Sequence, residues 1–88
     1  MPLVKLFGNL RTLAQASEID VPGERVGEVL ANLIARHPAL EPAVLEDGAL
    51  RPHVRVMVAG RDVELAQGLE TVLAGDEELA VFPPIAGG

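Results

Sequence analysis

In VGEVLANLIARHP (residues 26–38), Val26, Val29, Leu30, Leu33 and Ile34 fall at i, i+3, i+4, i+7 and i+8. That spacing lines one face of an α-helix with apolar side chains and turns Glu28, Asn32 and Arg36 away from it. Pro38 stops the helix, and Arg36 and His37 sit where the negative end of the helix dipole favours a basic group. The start is poorly marked, because no Ser, Thr, Asp or Asn stands just before Val26. No other segment repeats this pattern at comparable length, so the chain has one main helix and must fill the rest of its core from strands.

Outward from the helix the period changes to two. Val4-Lys5-Leu6-Phe7 reads as a strand, interrupted by Gly8-Asn9, with a short irregular or helical turn over Leu10–Ala14. Ser17-Glu18-Ile19-Asp20-Val21 alternates and ends at Pro22-Gly23, so the two segments are expected to form a hairpin. After the helix, Leu40–Leu45 allows a second short helical piece and Asp47-Gly48 marks a loop. His53–Val58 alternates strictly, with its valines on one face. Ala59-Gly60-Arg61-Asp62 reads as a tight turn and Val63-Glu64-Leu65 as a short returning strand. Gly68–Leu73 could be one helical turn, Gly75-Asp76 is another turn, and Leu79–Phe82 is the last strand, ended by Pro83. Two hairpins joined across one helix predict an α+β fold, a mixed sheet with the helix packed on one face. In such sheets the first and last strands commonly lie side by side in the middle, the β-grasp or ubiquitin-like arrangement. Repeats, low-complexity tracts and linkers are absent, so the expectation is one domain over residues 1–88 with a flexible C-terminal tail at 83–88.

Composition narrows the function. With 88 residues, 49% of them hydrophobic, and no Trp or Tyr, the chain can bury one small aliphatic core. The absence of cysteine removes disulfides, thiolate catalysis and cysteine metal sites, and fits a reducing cytoplasm. MPLVKLFGNLR has neither the basic leader nor the apolar run of a signal peptide, and no segment reaches membrane-spanning length. A net charge of −6, with Lys5 the single lysine, disfavours nucleic acid as a partner and suits either a basic protein partner or simple solubility. His37 and His53 lack ligand spacing to each other, and Ser17 is explained by its alternating strand. Glu41, Glu46, Asp47, Glu77 and Glu78 flank loops as solvated carboxylates. No metal site, phosphate loop or self-contained catalytic group is expected.

What is left is the end, FPPIAGG (82–88). Pro83-Pro84 favours an extended path. Ile85 and Ala86 add no charge, and Gly87 and Gly88 have no side chain to block passage through a narrow tunnel in another protein. Residues 85–88 reach about 13 Å when extended. Such a tail can deliver the Gly88 carboxylate to an enclosed site elsewhere. A carboxylate needs activation, usually as an acyl-adenylate, which sulfur converts to a thiocarboxylate and an amine to an isopeptide.

Three segments together resemble the ubiquitin-like sulfur carriers: the small subunit of molybdopterin synthase, the thiamine-pathway carrier and the carrier of a thiocarboxylate route to cysteine. VKLFGNLRTLA (4–14) is similar to the opening of molybdopterin synthase small subunits. VRVMVAGRDV (54–63) is similar to the family's strand–turn–strand, and LAGDEELAVFPPIAGG (73–88) to its last turn, strand and diglycine tail. The resemblance implies a β-grasp fold and a non-catalytic protein co-substrate. It also implies adenylation of Gly88 by a ubiquitin-activating-type enzyme that uses ATP, conversion to a thiocarboxylate, and sulfur delivery to a synthase. That synthase would be the molybdopterin synthase large subunit, a cysteine synthase or another sulfur-incorporating enzyme. No cofactor bound to the chain itself is implied. Phe82, Pro83, Pro84, Ile85, Ala86 and Gly87 would line the docking path, while Phe82 could equally cap the core.

The chain departs from the family at Gly8, where the molybdopterin branch usually has Ala, at Thr12 in place of Glu, and at Ala59 in place of a turn Asn. The long segment from Pro38 to Pro52 and QGLETVLAGD (67–76) lean toward the cysteine-type branch, whereas FPPIAGG and the opening lean toward the molybdopterin branch. The same tail would serve a protein modifier joined to target lysines through Gly88. A plain ubiquitin-like binding module is the third reading.

Overall fold

The computed structural model of the chain describes residues 1–84. Strand β1 (Leu3–Leu6) buries Val4 and Leu6 and turns Leu3 and Lys5 to the opposite face. Helix α1 (Asn9–Ala14) follows and buries Leu10 and Ala14. Strand β2 (Glu18–Asp20) then runs back antiparallel to β1, with Val4 opposite Ile19. The expected hairpin is therefore present, with a helix inside its connection.

Helix α2 (Val26–Arg36) buries Val26, Val29, Leu30 and Leu33, and Ile34 packs half-buried against the core. No side chain caps its start. The chain at residues 71–73 satisfies it instead: the Val26 N–H donates to the Thr71 carbonyl at 3.0 Å and the Leu73 N–H donates to the Glu24 carbonyl at 2.8 Å. At the other end the His37 N–H donates to the Leu33 carbonyl, and Pro38–Leu40 continues as a 3₁₀ turn. Two side chains tie α2 to the segment before it: Asn32 Nδ2 donates to the Pro22 carbonyl at 2.8 Å and Arg36 Nη1 to the Asp20 carbonyl at 3.0 Å.

The second helical piece is present as that turn plus α3 (Glu41–Val44). The Asp47-Gly48 loop is the turn of a small separate ribbon, β3 (Leu45–Glu46) with β4 (Ala49–Leu50). Both turn residues have positive φ, 54° and 82°, as a two-residue hairpin requires. Strand β5 (Arg55–Val58) buries Val56 and Val58. It starts later than the alternation suggested: His53 lies before it, exposed, in a left-handed turn at φ 70°.

The turn is Ala59-Gly60, Arg61–Asp62 forms strand β6, and Val63–Leu65 is a 3₁₀ turn rather than a strand. The cause is local, because Asp62 Oδ1 accepts the Glu64 N–H at 2.9 Å and bends the chain out of the sheet, burying Val63 and exposing Leu65. Gly68–Glu70 is a further 3₁₀ turn, and β7 (Glu78–Phe82) closes the sheet with Leu79 and Val81 buried.

The five main strands order as β2-β1-β7-β5-β6. β1 and β7 are central and parallel, with Leu3 beside Glu78 and Leu6 beside Val81, and β5 pairs antiparallel with β7. This is the β-grasp arrangement. One face of the sheet joins α2 in an aliphatic core that includes Val4, Leu6, Leu30, Leu33, Leu40, Val56, Leu79 and Val81, and among the described residues no polar or charged side chain is buried. No helix among them is long and apolar enough to cross a membrane.

Candidate functional site

The alternation of β7 decides what lies at the root of the tail. Leu79 and Val81 point into the core, so Glu78, Ala80 and Phe82 lie on the other face, which α2 does not cover. Their cross-strand partners share that face: Leu3 and Lys5 of β1, Arg55 and Met57 of β5. All but Glu78 and Arg55 are half-buried by their neighbours. Lys5 Nζ lies 3.4 Å from the Glu78 carboxylate. This pair is largely solvated, so it adds little stability.

Phe82 does not cap the core. It is half-buried on the open face, where its ring stacks on Phe7, with centroids 4.4 Å apart and planes 10° from parallel. Phe7 is one residue past β1, and its N–H donates to the Val81 carbonyl at 3.2 Å, which carries the parallel ladder one step further. The next residue, Gly8, has φ 57° and ψ −140°. A Cβ built there would lie 2.7 Å from Cγ of Pro83, so the Pro83 ring rests in the space that a side chain would fill. Pro84 follows, exposed. Of the expected site residues, Phe82, Pro83 and Pro84 are thus at the end of the central strand pair. Ile85, Ala86, Gly87 and Gly88 lie outside the described residues.

The sequence reading missed Phe7 and Gly8 as parts of this root. A signal was available: Phe7 and Phe82 are the only aromatic residues in the chain, and Phe7 shares the outward parity of Leu3 and Lys5. His37 and His53 stand apart from the root, and among the described residues no three His, Asp or Glu side chains converge as a metal site needs. The root offers two aromatic rings and two pyrrolidine rings, and Arg55, the cross-strand partner of Phe82, pairs with Asp62 at 3.1 Å. Such a surface can guide a chain end and be gripped by a partner.

Comparison with known proteins agrees with the fold. The model of the ThiS family matches residues 4–88. Small archaeal modifier protein 1 of Haloferax volcanii is 42% identical, over 96% of this chain and 97% of its own. Sulfur carrier protein CysO of Mycobacterium tuberculosis is 26% identical, over 80% of this chain and 78% of its own. A chain in the crystal structure of the Amycolatopsis orientalis BexX/CysO complex superposes with a TM-score of 0.90 at 25% identity, covering 100% of both chains.

Proposed function

The chain belongs to the ThiS family of ubiquitin-like sulfur carriers, and on that premise we propose that it carries sulfur on the carboxyl group of Gly88 as a protein co-substrate. In the first step a Gly88 carboxylate oxygen attacks the α-phosphorus of ATP on a ubiquitin-activating-type enzyme. Pyrophosphate leaves and an acyl-adenylate forms. A hydrosulfide equivalent then attacks the carbonyl carbon and expels AMP, leaving the thiocarboxylate. A partner synthase draws the tail into its own site and takes the sulfur. It is the molybdopterin synthase large subunit, a cysteine synthase or another sulfur-incorporating enzyme. The chain binds no cofactor for this, since activation and transfer take place on the partners, in the cytoplasm.

The observation that carries this reading is the extent of the family match, which runs through Phe82–Gly88 to the diglycine. The relative named as one half of the BexX/CysO complex supports a carrier that works by docking to a second protein. A modifier role is favoured by a different observation, the 42% identity to a small archaeal modifier protein. In that role the amine of a target lysine takes the place of sulfur and an isopeptide bond forms.

Intact-mass measurement separates the two. The full chain is incubated with the activating enzyme, ATP and a sulfide source. A gain equal to one oxygen replaced by sulfur is the expected result. High-mass conjugates without that gain assign the chain to protein modification, and an unchanged mass overturns both roles.

A further inference from the structure

We propose that the edge at Thr71–Val72 is a docking site for an extended segment of a partner protein, apolar at its centre and flanked by lysine or arginine, which adds to this edge as a strand. The site is separate from the tail root and does not depend on the carrier reading.

The backbone points to the kind of ligand. Arg25 and Val72 stand opposite each other in an antiparallel bridge. The Thr71 carbonyl and the Leu73 N–H face that bridge and are bonded in it, to the Val26 N–H and the Glu24 carbonyl. Backbone groups alternate along an extended chain, so the N–H and carbonyl of Val72 point the opposite way. Among the described residues neither has a backbone partner, and Val72 is 58% exposed. One donor and one acceptor on the open side of an extended residue are what an added strand pairs with. Proline and lysine, which commonly blunt such an edge, are absent from residues 71–74.

The neighbouring side chains set the chemistry. Thr71 and Val72 form one wall of a groove of about 400 Å³, which Val58, Val63, Arg61 and Glu77 also line. The aliphatic part of this lining suits branched apolar side chains turned inward from an added strand. Glu77 is partly occupied, because its Oε1 accepts the Ala74 N–H at 2.6 Å. Arg61 is the one cation of residues 61–77, against Asp62, Glu64, Glu70, Asp76 and Glu77. That imbalance favours Lys or Arg at the ends of the incoming segment. It also works against two copies pairing here, since each would bring the same excess of carboxylates.

Position gives the use. β7 starts beside the groove at Glu78 and ends at the tail root with Phe82, so the two sites lie at opposite ends of one strand, about 13 Å apart. A strand added at Val72 leaves Phe82, Pro83 and Pro84 uncovered. The chain can therefore stay tethered to one protein while a second engages its tail end, and tethering raises the effective concentration for that second encounter.

The test follows amide resonances and hydrogen exchange of the isotope-labelled full chain with a synthetic peptide, acetyl-Lys-Lys-Val-Thr-Val-Thr-Val-Lys-Lys-amide. A second peptide carries Glu in place of every Lys. In the free chain the Val72 amide is expected to exchange as an open amide does, while the Leu73 amide is protected. The lysine peptide at millimolar concentration should shift Val58, Val63 and Val72, slow exchange at Val72 by about tenfold or more, and leave Phe7 and Phe82 unmoved. The glutamate peptide should bind about tenfold more weakly. Val72→Pro, which removes the N–H, is expected to weaken the lysine peptide about tenfold. Leu65→Ser removes a more exposed apolar side chain outside the groove and should keep the affinity. Where circular dichroism finds Val72→Pro unfolded, wild-type exchange and the two peptides decide. A Val72 amide already protected in the dilute free chain overturns the proposal, as does the absence of shifts at Val72 with millimolar lysine peptide. Equal binding of the two peptides overturns the basic partner. Protection that appears on concentrating the chain alone assigns the edge to pairing between copies and overturns the partner reading.

Discussion

Phe7 and Phe82 lie ring on ring, 4.4 Å between centroids, on the sheet face that no helix covers. They are the chain's only aromatic residues, and neither is in the core. Their stack couples the end of the first strand to the end of the last, where the tail begins. A double-mutant cycle of Phe7→Ala and Phe82→Ala in urea unfolding is expected to give a coupling energy of about 1 kcal/mol. Additive losses would mean that the rings share no more than a neighbourhood.

Gly23 sits at φ 151° in the entry to α2, and a Cβ there would lie 2.6 Å from Val29 Cγ2 and 2.9 Å from the Val29 N. Because one of these atoms is backbone inside the helix, it cannot step aside. Gly23→Ala should cost about 2 kcal/mol or more, against about 1 kcal/mol for Gly48→Ala, whose Cβ has open space. Thermal midpoints of the two variants decide it, and equal midpoints would show that the entry relaxes.

Ala59 occupies the first position of the β5–β6 turn at φ 50°, followed by Gly60 at φ 80°. An alanine there bears left-handed strain that asparagine tolerates better. Ala59→Asn is expected to stabilise the chain by about 0.5–1 kcal/mol, read as a higher urea midpoint at unchanged slope.

Removing Gly88 should leave the unfolding midpoint unchanged and abolish the thiocarboxylate mass gain. A truncated chain that still gains the mass would place the reactive carbonyl elsewhere.

Much of the architecture was legible because it follows from short-range repetition. The i, i+3, i+4 stripe of Val26–Ile34 can bury one face only as a helix, and the period-two runs around Val4, Val56 and Leu79 only as strands. Two hairpins and one helix leave few ways to close a core, and the chain adopts the expected one. The misreadings fall where a local hydrogen bond competes with the pattern. Val63-Glu64-Leu65 alternates like a strand, but the Asp62 carboxylate takes the Glu64 N–H and bends the chain away. His53 and Val54 continue the β5 alternation on paper, yet the Val54 N–H closes a turn onto the Arg51 carbonyl.

The candidate site divides in the same way. The amino-acid order alone directs the expectation to Phe82–Gly88, through the two prolines and the terminal diglycine. It could not say which way Phe82 faces, what starts α2, or why position 8 is glycine. Those answers depend on residues that meet only after the chain has folded: Thr71 receiving the Val26 N–H, Phe7 against Phe82, and Gly8 beneath Pro83. Periodicity reports which side of its own element a residue occupies. Contacts across the central parallel pair depend on register between segments 75 residues apart, and that register is set by how the aliphatic core closes.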